Sequence, residues 1–403
     1  MNIKELPKYW EIKKMPEVVK WSSGGTPKAT EKQYYENGTI PWLIIGDLND
    51  GIVTESASRI TQLGLENSSA KMIPSGTLLV AMYGSIGKLG ITGIECCTNQ
   101  AIAYAKELHG VITKYMYYYM AMMKPKLISM GKGGTQKNIS QSVLNSLDVI
   151  VPPIPEQERI VARIEELFSQ LDSGVETLKK TKEQLAVYRQ AVLSDLYPAM
   201  TKENTVRLDN IAQITGGITK GRDLACYDTI ELPYLRVANV QDGFLDLSEM
   251  KTIELKTDEK EKYLLAAGDV LYTEGGDRDK LGRGTVWNDE IPNCVHQNHV
   301  FKARIDKGRA LPQYVAYWSM SRYARNYFYS HARQSVNLAS INKSILSALL
   351  LPLPDIAVQA DIVDIIDTKM SICADIEKTI DVAIQQAEAM RQSILKKAFE
   401  GAL

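Results

Sequence analysis

The sequence predicts an α+β protein in which one unit is written twice: a globular α/β region, a long helix, then the same pair again. The two helices are expected to pair as an antiparallel coiled coil, giving the chain a pseudo-two-fold internal repeat. Three observations predict this. The segment Val143–Gln157, ending Val-Pro-Pro-Ile-Pro-Glu-Gln, leads into a helical pattern closing on Arg189-Gln190-Ala191-Val192-Leu193, and Ile345–Gln359 leads into one closing on Arg391-Gln392-Ser393-Ile394-Leu395 at an offset of 202. Both patterns carry apolar residues every seventh position. Chain direction supplies the third: a helix that leaves the first globular region for the second meets a helix that starts from the second, so only an antiparallel partner avoids a long crossing linker.

The globular regions come first. Ile40-Pro41-Trp42-Leu43 matches Leu232-Pro233-Tyr234-Leu235, and Pro74–Val80 matches Ala266–Tyr272, both at an offset of 192. The ten residues added before the proline step read as loop insertions. Short apolar runs such as Thr77–Val80, Ala101–Tyr104 and Val149–Val151 read as strands, and Lys114–Met123 as a helix.

In the first long helix Ile164, Leu171, Leu178, Leu185 and Val192 hold the a positions, with Ile160, Leu167 and Tyr188 on the adjoining d seam. In the second, Ile366, Cys373, Ile380, Ala387 and Ile394 hold a, and Ile362, Ile376, Ala383 and Met390 hold d. Gly174 and Thr181 weaken the first seam where Ile376 and Ala383 occupy the second, which favours pairing with each other over self-pairing.

A chain of 403 residues with 45% apolar and 24% charged residues is ordinary for a folded protein of two or three domains. The N-terminus lacks an apolar leader core and no run of eighteen apolar residues occurs, so a cytoplasmic location is expected. Cys96, Cys97, Cys226, Cys294 and Cys373 form no ligand spacing with the four histidines, so buried free thiols are expected, with no metal site.

Net charge is −1, but it is unevenly spread. Residues 1–153 hold 16 basic against 12 acidic side chains and 201–354 hold 20 against 19, while 154–200 hold 6 against 8 and 355–403 hold 5 against 9. Residues 301–350 carry eight Lys/Arg opposed only by Asp306, a local patch that suits a phosphate backbone.

Sequences that mimic catalytic motifs fail in detail. Gly84-Ser85-Ile86-Gly87-Lys88-Leu89 has Met82 where a P-loop needs glycine, and Leu89 where it needs a magnesium ligand. Val151-Pro152-Pro153-Ile154 lacks the polar and aromatic residues of an amino-methyltransferase tetrapeptide and reads as a strand exit. No catalytic centre is indicated. What recurs instead are small polar loops: Ser22–Lys28 corresponds to Gly216–Arg222, and Gly131–Asn138 to Arg333–Asn337. Glycines let backbone approach phosphates, Lys and Arg neutralise them, and Gln, Asn and Arg can read base edges. The residues expected to contact DNA are Thr26, Lys28, Lys132, Gln136, Lys137 and Asn138 from these loops in the first half and Lys220, Arg222, Arg333, Gln334 and Asn337 in the second, together with Tyr83, Lys88, Arg278 and Arg283 outside them.

The order of globular region, proline step with Glu-Gln, and helix ending in Arg-Gln-Ala-Val-Leu, then repeated, resembles the specificity subunit of type I restriction-modification systems along essentially the whole chain. The resemblance is carried by Ser23–Pro27, Pro152–Gln157, Arg189–Leu193, Leu353–Gln359 and Arg391–Gly401. It implies that 1–153 and 201–354 are target recognition domains, each reading half of a split DNA sequence, and that 154–200 and 355–403 are helical spacers docking two methyltransferase subunits through residues such as Gln157, Arg189, Gln190, Gln359, Arg391 and Gln392. It also implies a non-catalytic chain that binds no cofactor, with S-adenosylmethionine, ATP and Mg2+ on the modification and restriction subunits. The second proline step departs from the pattern, keeping only Gln359 of Pro-Glu-Gln. The rival class is a duplicated protein-interaction scaffold, against which the 301–350 basic cluster and the Gly/Lys/Arg loops argue. An independent nuclease, the third class, lacks any motif.

Overall fold

The computed structural model describes residues 6–133, 137–276, 281–334 and 339–403. The chain divides into two compact units, residues 1–178 with 382–403, and residues 179–381. Each unit therefore combines one globular region with part of each long helix, Ile154–Asp195 and Ile356–Phe399.

The first unit is built on a five-stranded sheet in the order Val19–Ser23, Ile102–Leu108, Leu78–Ala81, Leu89–Thr92, Gly51–Val53, antiparallel except for its last pair. A smaller sheet places Ile40–Leu43 between Arg59–Ile60 and Cys97–Thr98. The helix Thr113–Met130 covers the main sheet and runs on past Met123 through Pro125, because Leu127 is fully buried and that burial offsets the missing hydrogen bond. The second unit repeats the plan. Its four-stranded sheet runs Ala212–Thr215, Val300–Ile305, Asp269–Thr273, Gly284–Val286, and its smaller sheet places Thr229–Leu235 between Lys251–Lys256 and Val295–His296.

In each unit the core includes both long helices. In the first, Ile160, Val161 and Ile164 join Leu395, Ala398 and Phe399; in the second, Val192 and Leu193 join Ile362, Val363 and Ile366. The pairing is antiparallel in both. Phe399 packs edge-on against Tyr115 and Tyr119, with centroids 5.2 and 5.1 Å away, and Tyr197 stands at the same place against Tyr314 and Trp318 at 4.8 and 4.9 Å.

The a positions bury as expected, or half-bury at Leu171, Leu178, Leu185 and Ile394. The d column buries only where the helices join the globular cores, at Ile160 and Ile362, and half-buries at Leu167 and Ala383, whereas Tyr188, Ile376 and Met390 are 45%, 40% and 53% exposed. The seam is completed on the other side, by Phe168, Val175, Lys182 and Arg189 on the first helix and Met370, Glu377, Ile384 and Arg391 on the second. An i, i+4, i+7 stripe is as continuous on a helix as an i, i+3, i+7 one, and ion pairs across it favour this choice. In the first unit Arg391 pairs with Asp172 and lies 4.8 Å over the Phe168 ring. In the second, Arg189 Nη2 lies 2.9 Å from Glu377 and Lys182 Nζ 2.8 Å from Asp381.

Two docking expectations are corrected here. Gln157 and Gln359 are fully buried. Gln157 Oε1 accepts from Ile112 N–H at 3.0 Å while Nε2 donates to the Gly110 and Pro152 carbonyls at 2.8 Å each. Gln359 repeats the clasp with Leu311 N–H at 2.9 Å and the carbonyls of Arg309 and Pro354 at 3.1 and 2.8 Å. Both amides are spent satisfying backbone groups that would otherwise be buried unpaired, so neither can reach a second chain. Glu156, the residue missing from the second step, lies on the surface side and pairs with Arg159 at 2.8 Å. The clasp does not require it.

Candidate nucleic-acid interface

The polar loops of the first unit converge at one end of the strands of the main sheet. The Gly24–Gly25 segment crosses the 98–100 turn, with Gly25 N–H donating to Thr98 O at 2.9 Å. A Cβ on Gly24 would fall 1.9 Å from the Thr98 carbonyl oxygen, so only glycine permits the crossing. The Thr26 hydroxyl donates to Gln100 Oε1. Next to that turn, Met82 N–H donates to Ala101 O at 2.8 Å and Met82 O accepts from Ile139 N–H at 2.8 Å. Tyr83 bridges to Asn138, Gly84 N–H donates to Lys137 O at 3.1 Å, and Lys132 exchanges both backbone hydrogen bonds with Asn138 at 2.9 Å. Thr26, Tyr83, Lys132, Lys137 and Asn138 are thereby brought together. Lys88 joins them beside a hollow of about 350 Å3 shared with Lys124, Lys137 and Asp50. Lys28 stands apart, exposed, with Nζ 3.2 Å from Glu31.

The second unit makes the same crossings. Ile218 N–H donates to His296 O at 2.8 Å, and a Cβ on Gly217 would fall 2.1 Å from that carbonyl oxygen. Asn298 N–H donates to Ile218 O at 2.9 Å, Glu274 N–H to His299 O at 2.9 Å and Ile341 N–H to Glu274 O at 2.8 Å. Lys88 of the first unit has its counterpart in Arg283: Ala81 N–H donates to Lys88 O at 2.8 Å as Thr273 N–H does to Arg283 O at 2.9 Å. Arg283 Nη1 also donates to Gln241 at 2.9 Å.

Lys220 and Arg333 are exposed, and the Arg333–Gln334 strand pairs with Ala339–Ser340. Arg222 is the exception, since its guanidinium pairs with Glu259 at 2.7 Å and its charge is largely met inside the chain. Gln136, Arg278 and Asn337 lie outside the described residues. The sequence reading missed Gln100, Glu274, Asn298 and His299. Gln100, Asn298 and His299 follow Thr98 and Val295–His296, short segments whose pairing with the proline-containing strands is visible only in three dimensions, and Glu274 directly follows the buried strand Asp269–Thr273.

Of the six docking residues, Arg189 and Arg391 are engaged in the interhelical ion pairs. Gln190 is half-buried, and Gln392 is exposed on the wall of a cleft of about 660 Å3 in the first unit, beside Tyr117, Phe168 and Arg391.

Burial is the leading cause of the large shifts among the titratable groups. His296 is fully buried, and desolvation lowers its pKa to about 4, against a raising hydrogen bond to Val300 O at 2.6 Å. Lys302 is lowered by burial to about 8, with Nζ donating to the carbonyls of Lys262 and Leu264 at 3.1 and 2.9 Å. Burial pushes the Cys96, Cys97 and Cys294 thiols up to about 12, far from a reactive thiolate, whereas Cys226 is exposed rather than buried. Among the described residues no group of three or more His, Cys, Asp or Glu gathers to hold a metal, and no helix is long and apolar enough to cross a membrane.

Over residues 7–186, and again over 200–386, the sequence matches the family described as type I restriction modification DNA specificity domain. The chain belongs to this family. It is 22% identical to the type I restriction enzyme EcoKI specificity subunit of Escherichia coli strain K12, across all of this chain and 91% of that protein. It is 28% identical to the EcoR124I/EcoR124II specificity subunit of Escherichia coli over 46% of this chain and 48% of that one. A chain solved in a study of complex assembly and conformational transition of the type I R-M system shares the fold, with a TM-score of 0.75 at 17% identity, covering 99% of this chain and all of that one. The HsdS subunit from Thermoanaerobacter tengcongensis also shares it, with a TM-score of 0.55 at 16% identity over 100% of this chain and 99% of that one. The chain is thus a type I specificity subunit of mixed α+β fold with two copies of its domain.

Proposed function

We propose that this specificity subunit is a non-catalytic reader of double-stranded DNA, that each unit reads one half of a two-part target, and that the long helices dock two modification subunits, with restriction subunits joining for cleavage. One observation supports this most: the same convergence of polar loops, with the same glycine crossing and a cation at the Lys88 and Arg283 position, occurs in both units. A reading surface made twice suits a target in two parts. The cations position the duplex through its phosphates, and the neighbouring amides and hydroxyls face base edges. S-adenosylmethionine, ATP and Mg2+ belong, on this reading, to the partner subunits. Docking would use what the helices leave exposed, including Gln392 and the apolar side chains of Val187 and Ile372, rather than the buried glutamines.

The test is methyl transfer from labelled S-adenosylmethionine by the purified chain, with and without a modification subunit, followed by methylome sequencing and a salt series on DNA binding. The expected outcome is no transfer by the chain alone, marks at a gapped two-part motif once the partner is present, and log affinity falling steeply with log salt. Transfer by the chain alone, or an ungapped motif, overturns the reading. Salt-insensitive binding favours the protein scaffold.

A further inference from the structure

A carboxylate stands where the loops of the second unit meet, between segments that carry Lys220, Arg283 and Arg333. Glu274 follows the buried strand Asp269–Thr273. Its backbone is pinned on both sides, to His299 O at 2.9 Å and from Ile341 N–H at 2.8 Å. Its Oε2 lies 2.6 Å from His299 Nδ1, and the two side chains are 29% and 54% exposed. A carboxylate only accepts, so His299 donates from Nδ1 and Oε1 keeps its acceptor capacity. Three loops surround the pair: Asn298 leads to Ile218 and Lys220, Gly275 pairs with Ser340 opposite Arg333, and Thr273 bonds to Arg283.

The fold does not need a carboxylate here. In the first unit the same two backbone bonds, each 2.8 Å, are made by Met82, which is buried, and Ala101 stands where His299 does. Near DNA a carboxylate is repelled by phosphates, so one held toward solvent by a dedicated partner calls for a donor on the ligand. Exocyclic amino groups of cytosine and adenine are such donors in the major groove, whereas guanine O6 and thymine O4 are acceptors that a carboxylate rejects.

We propose that Glu274, oriented by His299, is a specificity-determining residue that accepts a hydrogen bond from the exocyclic amino group of a cytosine or adenine in the half-site read by the second unit. This rests on the function proposed above. The test is Glu274→Gln in the full chain, expressed with its modification subunits and followed by methylome sequencing. Glutamine keeps the size and can still accept from His299, but it adds a donor. One base pair in one half-site should relax, its discrimination falling on the order of ten- to a hundredfold, while the other half-site and the gap stay unchanged and so report intact folding and assembly. The wild-type letter at that position distinguishes cytosine from adenine. Glu274→Met, which installs the first unit's residue, should relax the same position. An unaltered motif in both variants, or an even fall at every site with the motif unaltered, marks a structural pair and overturns the assignment, as does loss of all methylation in both. A wild-type complex that marks no two-part motif overturns the functional reading itself.

Discussion

Thr98 in the first unit and His296 in the second hold the same register, paired in parallel with Leu43 and Leu235, and both are fully buried beneath the glycine crossing. The backbone around them is the same; the side chains are not. The comparison holds along both units. Asp50 with Lys124 in the first is repeated by Asp242 with Arg325 in the second, and Tyr115 donating to Ile150 O at 2.8 Å is repeated by Tyr314 donating to Pro352 O at 2.8 Å. Identity is kept where backbone groups must be satisfied or helices anchored. Difference collects where the loops meet, with Met82 and Ala101 in the first unit at the positions that Glu274 and His299 hold in the second. The same backbone framework thus carries different side chains in its two copies.

The largest expected effect is at the helix ends. Phe399→Ala removes the ring on which Tyr115 and Tyr119 pack, and Tyr197→Ala removes its counterpart, each costing about 3–5 kcal/mol. Hydrogen exchange on the full chain should show protection falling around 115–151 in the first variant and around 314–352 in the second. Equal loss in both units from either change would break the comparison.

Next comes acid. The folded His296 value of about 4 lies below its ordinary 6.5. The unfolded chain therefore takes up the proton first, and the stability fully present above pH 6.5 is lost as pH falls toward 4, by about 3 kcal/mol for this group. The groups around the ring are Lys302 and Arg304, which oppose its charge, and Asp269, which favours it. The stability of the second unit should fall more steeply between pH 6.5 and 4 in the wild type than in His296→Thr, which installs the first unit's residue. Identical slopes would show that His296 does not titrate as its burial requires.

The smallest effect sharpens the equivalence of the units. Gln157→Ala and Gln359→Ala each strand one buried N–H and two carbonyls and should each cost about 2 kcal/mol in denaturant unfolding. Loss of complex assembly with stability unaltered would restore the docking role that burial argues against.

Much of this could be read from residue order alone. The repeat offsets gave two copies of one unit, and the heptads gave two long helices whose antiparallel pairing followed from chain direction. Those features are local or periodic, and periodicity survives in one dimension. The side of the heptad that completes the seam was not legible, because a/d and a/e stripes are equally continuous and only the pairing of Arg189, Lys182 and Arg391 with carboxylates on the facing helix chooses between them. Nor was the burial of Gln157 and Gln359, whose partners lie 45 to 50 residues away at Gly110, Ile112, Arg309 and Leu311. The Gly/Lys/Arg loops announced themselves by composition, while Glu274 and His299 are ordinary residues 25 apart. Sequence determined the elements and their repetition; tertiary structure alone decided which distant side chains meet, because a long-range hydrogen bond leaves no period in the chain.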